Sequence, residues 1–287
     1  MVEAAQRQML KYPDKFLEIR ADCINLPTFT ALCAGYDSNQ WRAKPFADHL
    51  FQWLPFAALS QENQLAFGAN NFVEMLQLAA AHIYNTKKTA SRGEIGELIF
   101  HLACILHFGT SPVLCKLVLK TSSNDTVKGF DGVHILPKGD DFEIWLGESK
   151  FYSDPLSGIQ DAVKSVKEHL LPAFLDMEKA MILGHVAEGV PNREAVKKAF
   201  KPQTSKDELL KRAVFPILIA YNSDTVASHK VLSAKYTAEL KAEAEKLRSY
   251  FADKAAGLTA RFVLMFVPMN DKKAVIDSFD KKLEAFL

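Results

Sequence analysis

The sequence predicts an α/β protein in which helices cover a central sheet. Two observations carry that expectation. From about Val113 onward, apolar runs of strand length are interleaved with amphipathic or charged helical segments, and strands mixed with covering helices argue for a layered sheet. The chain has 287 residues, 48% hydrophobic and 24% charged, so it can bury a real core and disorder is excluded.

The elements follow in order. Residues 1–84 read as a mainly helical region: an irregular start, then two amphipathic stretches. Phe46, Leu50, Trp53 and Leu54 recur at helical spacing between Pro45 and Leu59, and Phe72, Leu76 and Ile83 between Phe67 and Tyr84. The polar break NTKKTASRG opens a second region, 85–287. Ser91 followed by Glu94 has capping-box spacing, so a helix is expected from there through Ile95, Leu98, Ile99, Leu102 and Leu106 to a stop at Gly109. Three strands are expected next, Val113 to Lys120, Phe130 to Leu136 and Phe142 to Lys150, separated by the turn-rich SSNDTVKG and PKGDD. Helices near Leu156 to Leu171 and Ala173 to His185 are parted by Pro172, which a helix interior does not tolerate. Phe215 to Tyr221 and Arg261 to Val267 read as strands on either side of a charged helix from His229 to Lys254.

A formal net charge of +1 gives no global attraction for nucleic acid, so a DNA-binding surface must be local or supplied by a partner. The most basic stretch, Arg193 to Arg212, offers Lys197, Lys198 and Lys201 as candidate DNA contacts; a solvated helical face is the plain alternative. Cys23, Cys33, Cys104 and Cys115 form no CxxC pair and read as buried thiols. The opening MVEAAQRQMLKYPDKF lacks an apolar secretory core, and no run is long enough for a membrane span, so a cytoplasmic protein with no membrane contact is expected.

The chemistry concentrates in FEIWLGESK. Alternation puts Phe142, Ile144, Leu146, Glu148 and Lys150 on one strand face, so an apolar face ends in two charges. Burying them without partners would be costly; they are solvated at an edge or gathered about a metal and a substrate. The same acid-x-lysine spacing occurs at Glu239, Asp271 and Asp280, but in helical texture, where residues two apart share no face. In the preceding GFDGVHIL, Asp131 lies between Gly129 and Gly132, glycines that permit close approach of a backbone or ligand. A hairpin through PKGDD would bring Asp131 towards Glu148. Two carboxylates beside an ammonium suit phosphodiester hydrolysis: hard oxygens hold Mg²⁺, and Lys150 orients the nucleophile or offsets charge in the transition state. Glu97 or Glu94, three apart on the upstream helix, could complete the set, although acids near a helix start are expected from the helix dipole alone. His134 falls on the face opposite Asp131 and reads as a packed strand residue, while His169 could approach the site.

The ordered set GEIGEL, GFDGVHIL and WLGESKFYSD resembles the PD-(D/E)xK nuclease superfamily and, more closely, the HamA family of the Hachiman anti-phage system, most clearly from Ser91 to about Leu171. The resemblance implies a restriction-endonuclease-like core over residues 85–287, cleavage of DNA dependent on Mg²⁺ or Mn²⁺, and a helicase partner, HamB, that restrains the nuclease. It assigns Asp131, Glu148 and Glu97 as metal ligands, Glu97 being preferred to Glu94, and Lys150 as the catalytic lysine. Phe130 stands where the superfamily motif has proline. The alternative is a member that keeps the fold for DNA binding or assembly without catalysis; an intact Asp, Glu and Lys set argues against it.

Overall fold

Strands precede helices: β1 (Glu18–Cys23) and β2 (Thr28–Cys33) are followed by the two-residue β3 (Tyr36–Asp37) and β4 (Gln40–Trp41). The computed structural model describes residues 11–84, 92–119 and 129–286. These first strands correct the expected irregular start. β1 is an edge strand with only Ala21 buried, and β2 turns Phe29, Ala31 and Cys33 inward, an alternation only three positions long.

Helices α1 (Ala43–Gln52), α2 (Leu54–Ala58), α3 (Gln61–Ala66) and α4 (Phe72–Tyr84) occupy the expected helical stretch. α5 (Gly93–Phe108) stops where Gly109 turns left-handed at φ 67°. Its expected cap, Ser91, lies outside the described residues; Arg92 stands at the N-cap, and its side chain makes no capping hydrogen bond. β5 (Ser111–Cys115) is shorter than expected, because the chain tightens into a 3-10 turn over Lys116–Leu119. Then come β6 (Gly132–Lys138) and β7 (Asp141–Phe151). α6 (Pro155–His169) starts with Pro155 at its first position and the Asp154 carboxylate accepting from the Ser157 N–H, both favourable start signals. α7 (Pro172–Gly184), α8 (Arg193–Phe200) and α9 (Lys206–Arg212) lead to β8 (Ala213–Asn222). The charged helix begins later than expected: after α10 (Asp224–Ser228), Ser233 caps α11 (Ala234–Lys254) by accepting from Tyr236 N–H. β9 (Phe262–Met269) and α12 (Lys272–Glu284) complete the order.

Seven strands form one mixed sheet in the order β1-β2-β9-β8-β7-β6-β5. β7, β8, β9 and β2 run parallel, while β5, β6 and β7 form an antiparallel meander and β1 runs against β2. β8 is buried along nearly its whole length, AVFPILIAY, as a parallel strand covered on both faces must be. Trp145, Phe151, Leu218 and Met265 pack with residues of α1, α2, α4, α5 and α12 on one face. Leu146, Ile217, Ile219 and Phe266 pack with residues of α6, α8, α9 and α11 on the other. Cys33, Cys104 and Cys115 are buried, whereas Cys23 is only partly buried. No helix among the described residues is long and apolar enough to cross a membrane.

Candidate active site

The meander register sets two acids side by side. Gly132 pairs with Gly147, so Asp131, just ahead of β6, faces Glu148 across the ladder. Its main chain is tied on both sides: Asp131 N–H donates to Gly147 O at 2.9 Å, and Lys116 N–H donates to Asp131 O at 3.1 Å. The glycines act here through packing. A Cβ on Gly147 would lie 1.9 Å from Cζ of Phe100, and one on Gly132 would lie 2.7 Å from Cε1 of the same ring, so this cross-strand pair lets α5 settle onto the sheet. Gly129, at φ +145°, has no room for a side chain against the Glu178 carboxylate, 2.7 Å from where its Cβ would be.

Glu148 and Lys150 share the β7 face that Phe142, Ile144 and Leu146 turn into the core. A surface ion pair does not describe them, since Glu148 is only 4% exposed and Asp131 only 6%. Lys150 Nζ donates to Glu148 Oε1 at 2.7 Å and to Ser165 Oγ at 3.3 Å. Glu148 Oε2 is buried and makes no hydrogen bond among the described residues; His169 Nδ1 is 3.8 Å from it. Asp131 is fully engaged by contrast. Its Oδ2 accepts from Ser149 N–H at 2.8 Å and Ser149 Oγ–H at 2.9 Å, and its Oδ1 from Lys116 Nζ at 3.1 Å.

These contacts split the two carboxyls. Burial works against ionised Asp131, but the Lys116 ammonium and the Ser149 donors outweigh it and hold its pKa below the usual carboxylate range. Burial, then the neighbouring Asp131 charge, pushes Glu148 upward despite Lys150. His169 lies flat on Phe174, ring centroids 4.4 Å apart, and burial lowers its pKa to about 4, so it is a neutral ring here. Behind the site, Glu178 of α7 accepts from Phe130 N–H at 3.3 Å, and burial raises its pKa to about 7.

A cavity of about 1240 Å³ opens over this group. Asp131, Glu148, Lys150 and Glu97 all line it, with Lys116, Ser149, His169 and, from the start of α12, Lys272. Glu94, buried on the same helix as Glu97, is not among the lining residues, and neither are Lys197, Lys198 or Lys201. Those lysines belong to α8 and its C-cap, where Lys198 and Lys201 are exposed and Lys197 partly so. His134 packs away from the site, its Nδ1 2.9 Å from Thr110 Oγ1 and its ring against Phe100 and His101. Sequence reasoning missed Lys116, Ser149 and Glu178. Lys116 is hidden in CKLVLK, which reads as a continuation of a strand, and Glu178 in an ordinary amphipathic helix.

The donor set fits a hard divalent cation. Among the described residues no three His, Cys, Asp or Glu side chains are gathered into a ready cage. Mg²⁺ does not require one, since it is commonly held by one or two carboxylates and keeps several waters. Asp131 and Glu148 supply two carboxylates that line one cavity, and the buried Glu148 Oε2 is an acceptor in want of a partner.

A mixed sheet flanked by helices, with acids and a lysine towards the end of β7, defines an α/β protein with a buried cluster of charged groups. The chain belongs to the HamA family, whose model matches residues 11–283. It is thus a component of the Hachiman defence system. No curated protein matches the chain.

Proposed function

We propose that this chain is the metal-dependent DNA nuclease of its defence system, hydrolysing phosphodiester bonds at the cavity lined by Asp131, Glu148 and Lys150. The observation that carries this reading is the juxtaposition of two buried acids, Asp131 bound by Lys116 and Ser149 and Glu148 bound by Lys150 but with one buried oxygen open. Asp131 and Glu148 would hold Mg²⁺ or Mn²⁺, with Glu97 of α5, which lines the same cavity, as the further ligand. A divalent ion held there supplies Lewis-acid polarisation of the phosphate and lowers the pKa of a water. Lys150, held on Glu148 and Ser165, is placed to orient a nucleophile or to offset charge on the phosphate. Ser149 fixes Asp131 from both its N–H and its hydroxyl, which keeps that carboxylate's orientation. Lys272 adds a cation at the cavity wall, and exposed Lys198 and Lys201 with partly exposed Lys197 extend the positive surface for DNA away from the chemistry.

Incubating the protein with plasmid DNA, RNA and nucleotides, each with Mg²⁺ or with a chelator, tests the reading. Cleavage of plasmid with Mg²⁺, abolished by the chelator, is the expected result; no hydrolysis of any substrate would leave a non-catalytic DNA-binding or assembly subunit as the better account. We also propose a helicase partner that restrains and directs the nuclease, because a net charge of +1 suits delegated targeting better than indiscriminate binding. Co-expression with a helicase encoded beside it should give one peak in size-exclusion chromatography; separate elution at micromolar concentration counts against a stable complex.

A further inference from the structure

The two acids of the site are not equally open to a metal. Glu148 has its lysine on Oε1 and leaves Oε2 without a hydrogen bond among the described residues. Asp131 has no such oxygen. Two donors from Ser149 fill Oδ2, since a carboxylate oxygen offers about two acceptor sites. Only Oδ1 has capacity left, and Lys116 Nζ is on it at 3.1 Å.

Lys116 is not a surface side chain that happens to reach in. Its own N–H is bound to Asp131 O, its ammonium also donates to Gly129 O at 3.3 Å, and it sits on the 3-10 turn that cuts β5 short. Its side chain is largely buried, pairs with Asp131, and lines the same cavity as Asp131, Glu97 and Glu148. The ammonium thus lies in the field of all three carboxylates. A Mg²⁺ ion would sit about 2.0–2.1 Å from Oδ1, bringing two positive centres onto one oxygen.

We infer that Lys116 is a built-in competitor for the metal: its ammonium satisfies Asp131 in the metal-free protein, and a divalent cation enters only by displacing it. The inference rests on the metal-site reading above. It makes Lys116 a positioning and gating residue that sets the metal concentration at which the site loads.

The experiment is calorimetric titration of the full chain with Mn²⁺ and Mg²⁺ at fixed ionic strength, for the parent, Lys116→Met and Lys116→Arg, with Asp131→Ala and Glu148→Ala as controls. Lys116→Met keeps the length of the side chain and removes the charge, so it should bind metal about tenfold more tightly or better, as expected when a like charge leaves a cation site. Lys116→Arg should stay near the parent. In the parent, the Lys116 side-chain ammonium resonance, assigned by its loss in Lys116→Arg and protected by the Asp131 contact, should disappear as metal saturates the site. Equal or weaker affinity in a folded Lys116→Met overturns the inference, and so does an ammonium signal that persists at saturation; the second measurement decides alone if the methionine variant does not fold. Metal binding that survives both Asp131→Ala and Glu148→Ala would instead sink the metal-site reading.

Discussion

Two carboxylates facing each other in a nearly dry setting cannot both stay ionised without help, and here the help is unequal. Asp131 is held ionised, whereas Glu148 is pushed towards the protonated form by burial and by Asp131. A metal entering at Glu148 must expel that proton, so metal affinity should rise with pH over the range in which Glu148 titrates. Single variants should separate the roles. Asp131→Ala and Glu148→Ala each remove a proposed hard ligand, so calorimetric metal affinity and plasmid cleavage should fall together. Lys150→Ala leaves both ligands in place; metal affinity should hold or rise while cleavage drops on the order of a hundredfold, by analogy with other electrostatic stabilisers. If Lys150→Ala cleaves at the parent rate, the assignment of that lysine is wrong. Glu178 gives a stability prediction of known sign. Its pKa is raised from 4.5 to about 7 in the fold, so its contribution is fully present below about pH 4.5 and is lost as pH rises through 7. Glu178→Gln keeps an acceptor for Phe130 N–H but cannot ionise, so its Tm relative to the parent should climb between pH 5 and pH 8; a constant difference would refute the titration. Glu148 and Lys150 were legible because strand alternation put two charges at the end of an apolar face, and the hairpin register brought in Asp131. Lys116 and Glu178 were not, because a turn and a distant helix deliver them and neither leaves a periodic trace.

At the scale of elements, the meander and α5 are one device. The ring of Phe100 lies where the Gly132 and Gly147 side chains would be, and a Cβ on Gly96 would stand 3.1 Å from that of Phe151, so helix and sheet meet over bare backbone. Glu97 is one turn or less from both contacts, and its reach into the cavity depends on that close seat. Gly147→Ala should therefore lift α5 from the sheet, costing about 1–3 kcal/mol by overpacking, and should lower cleavage even though no lining side chain is changed. Thermal denaturation beside a cleavage assay checks it; an unchanged Tm would mean that the ring moves aside freely. The head of α5 is held from elsewhere, since buried Arg92 pairs with Asp280 of α12 at 2.9 Å. The long strands and helices around the site were legible because turn chemistry and Pro172 punctuate them. β1 and β2 were missed because β1 is an edge strand with polar faces and the buried alternation of β2, Phe29, Ala31 and Cys33, is only three positions long. The Lys116–Leu119 turn was missed because KLVL is apolar enough to pass for strand.

Taken whole, the molecule separates its chemistry from its most basic stretch. The cavity lies over β6 and β7, whereas Lys197, Lys198 and Lys201 stand on α8 and its end and do not line it. If those lysines meet DNA phosphates, neutralising all three should weaken DNA binding and flatten its dependence on salt, with each lost contact removing about one unit or slightly less from the log–log slope. An unchanged slope in a binding assay over a series of salt concentrations rejects that surface. The α/β class was legible from the interleaving of strands and helices. The strand order was not, because nothing local announces that Thr28 pairs with Val263. That pairing has a consequence in time. A growing chain can form the β5, β6 and β7 meander early, but β2 must wait for β9, and only after β9 come Lys272 at the cavity wall and Asp280 beneath α5. With this strand order the proposed nuclease cleft gains its last wall and the support of α5 only after β9 has taken its place, so a chain cut short before β9 would lack both.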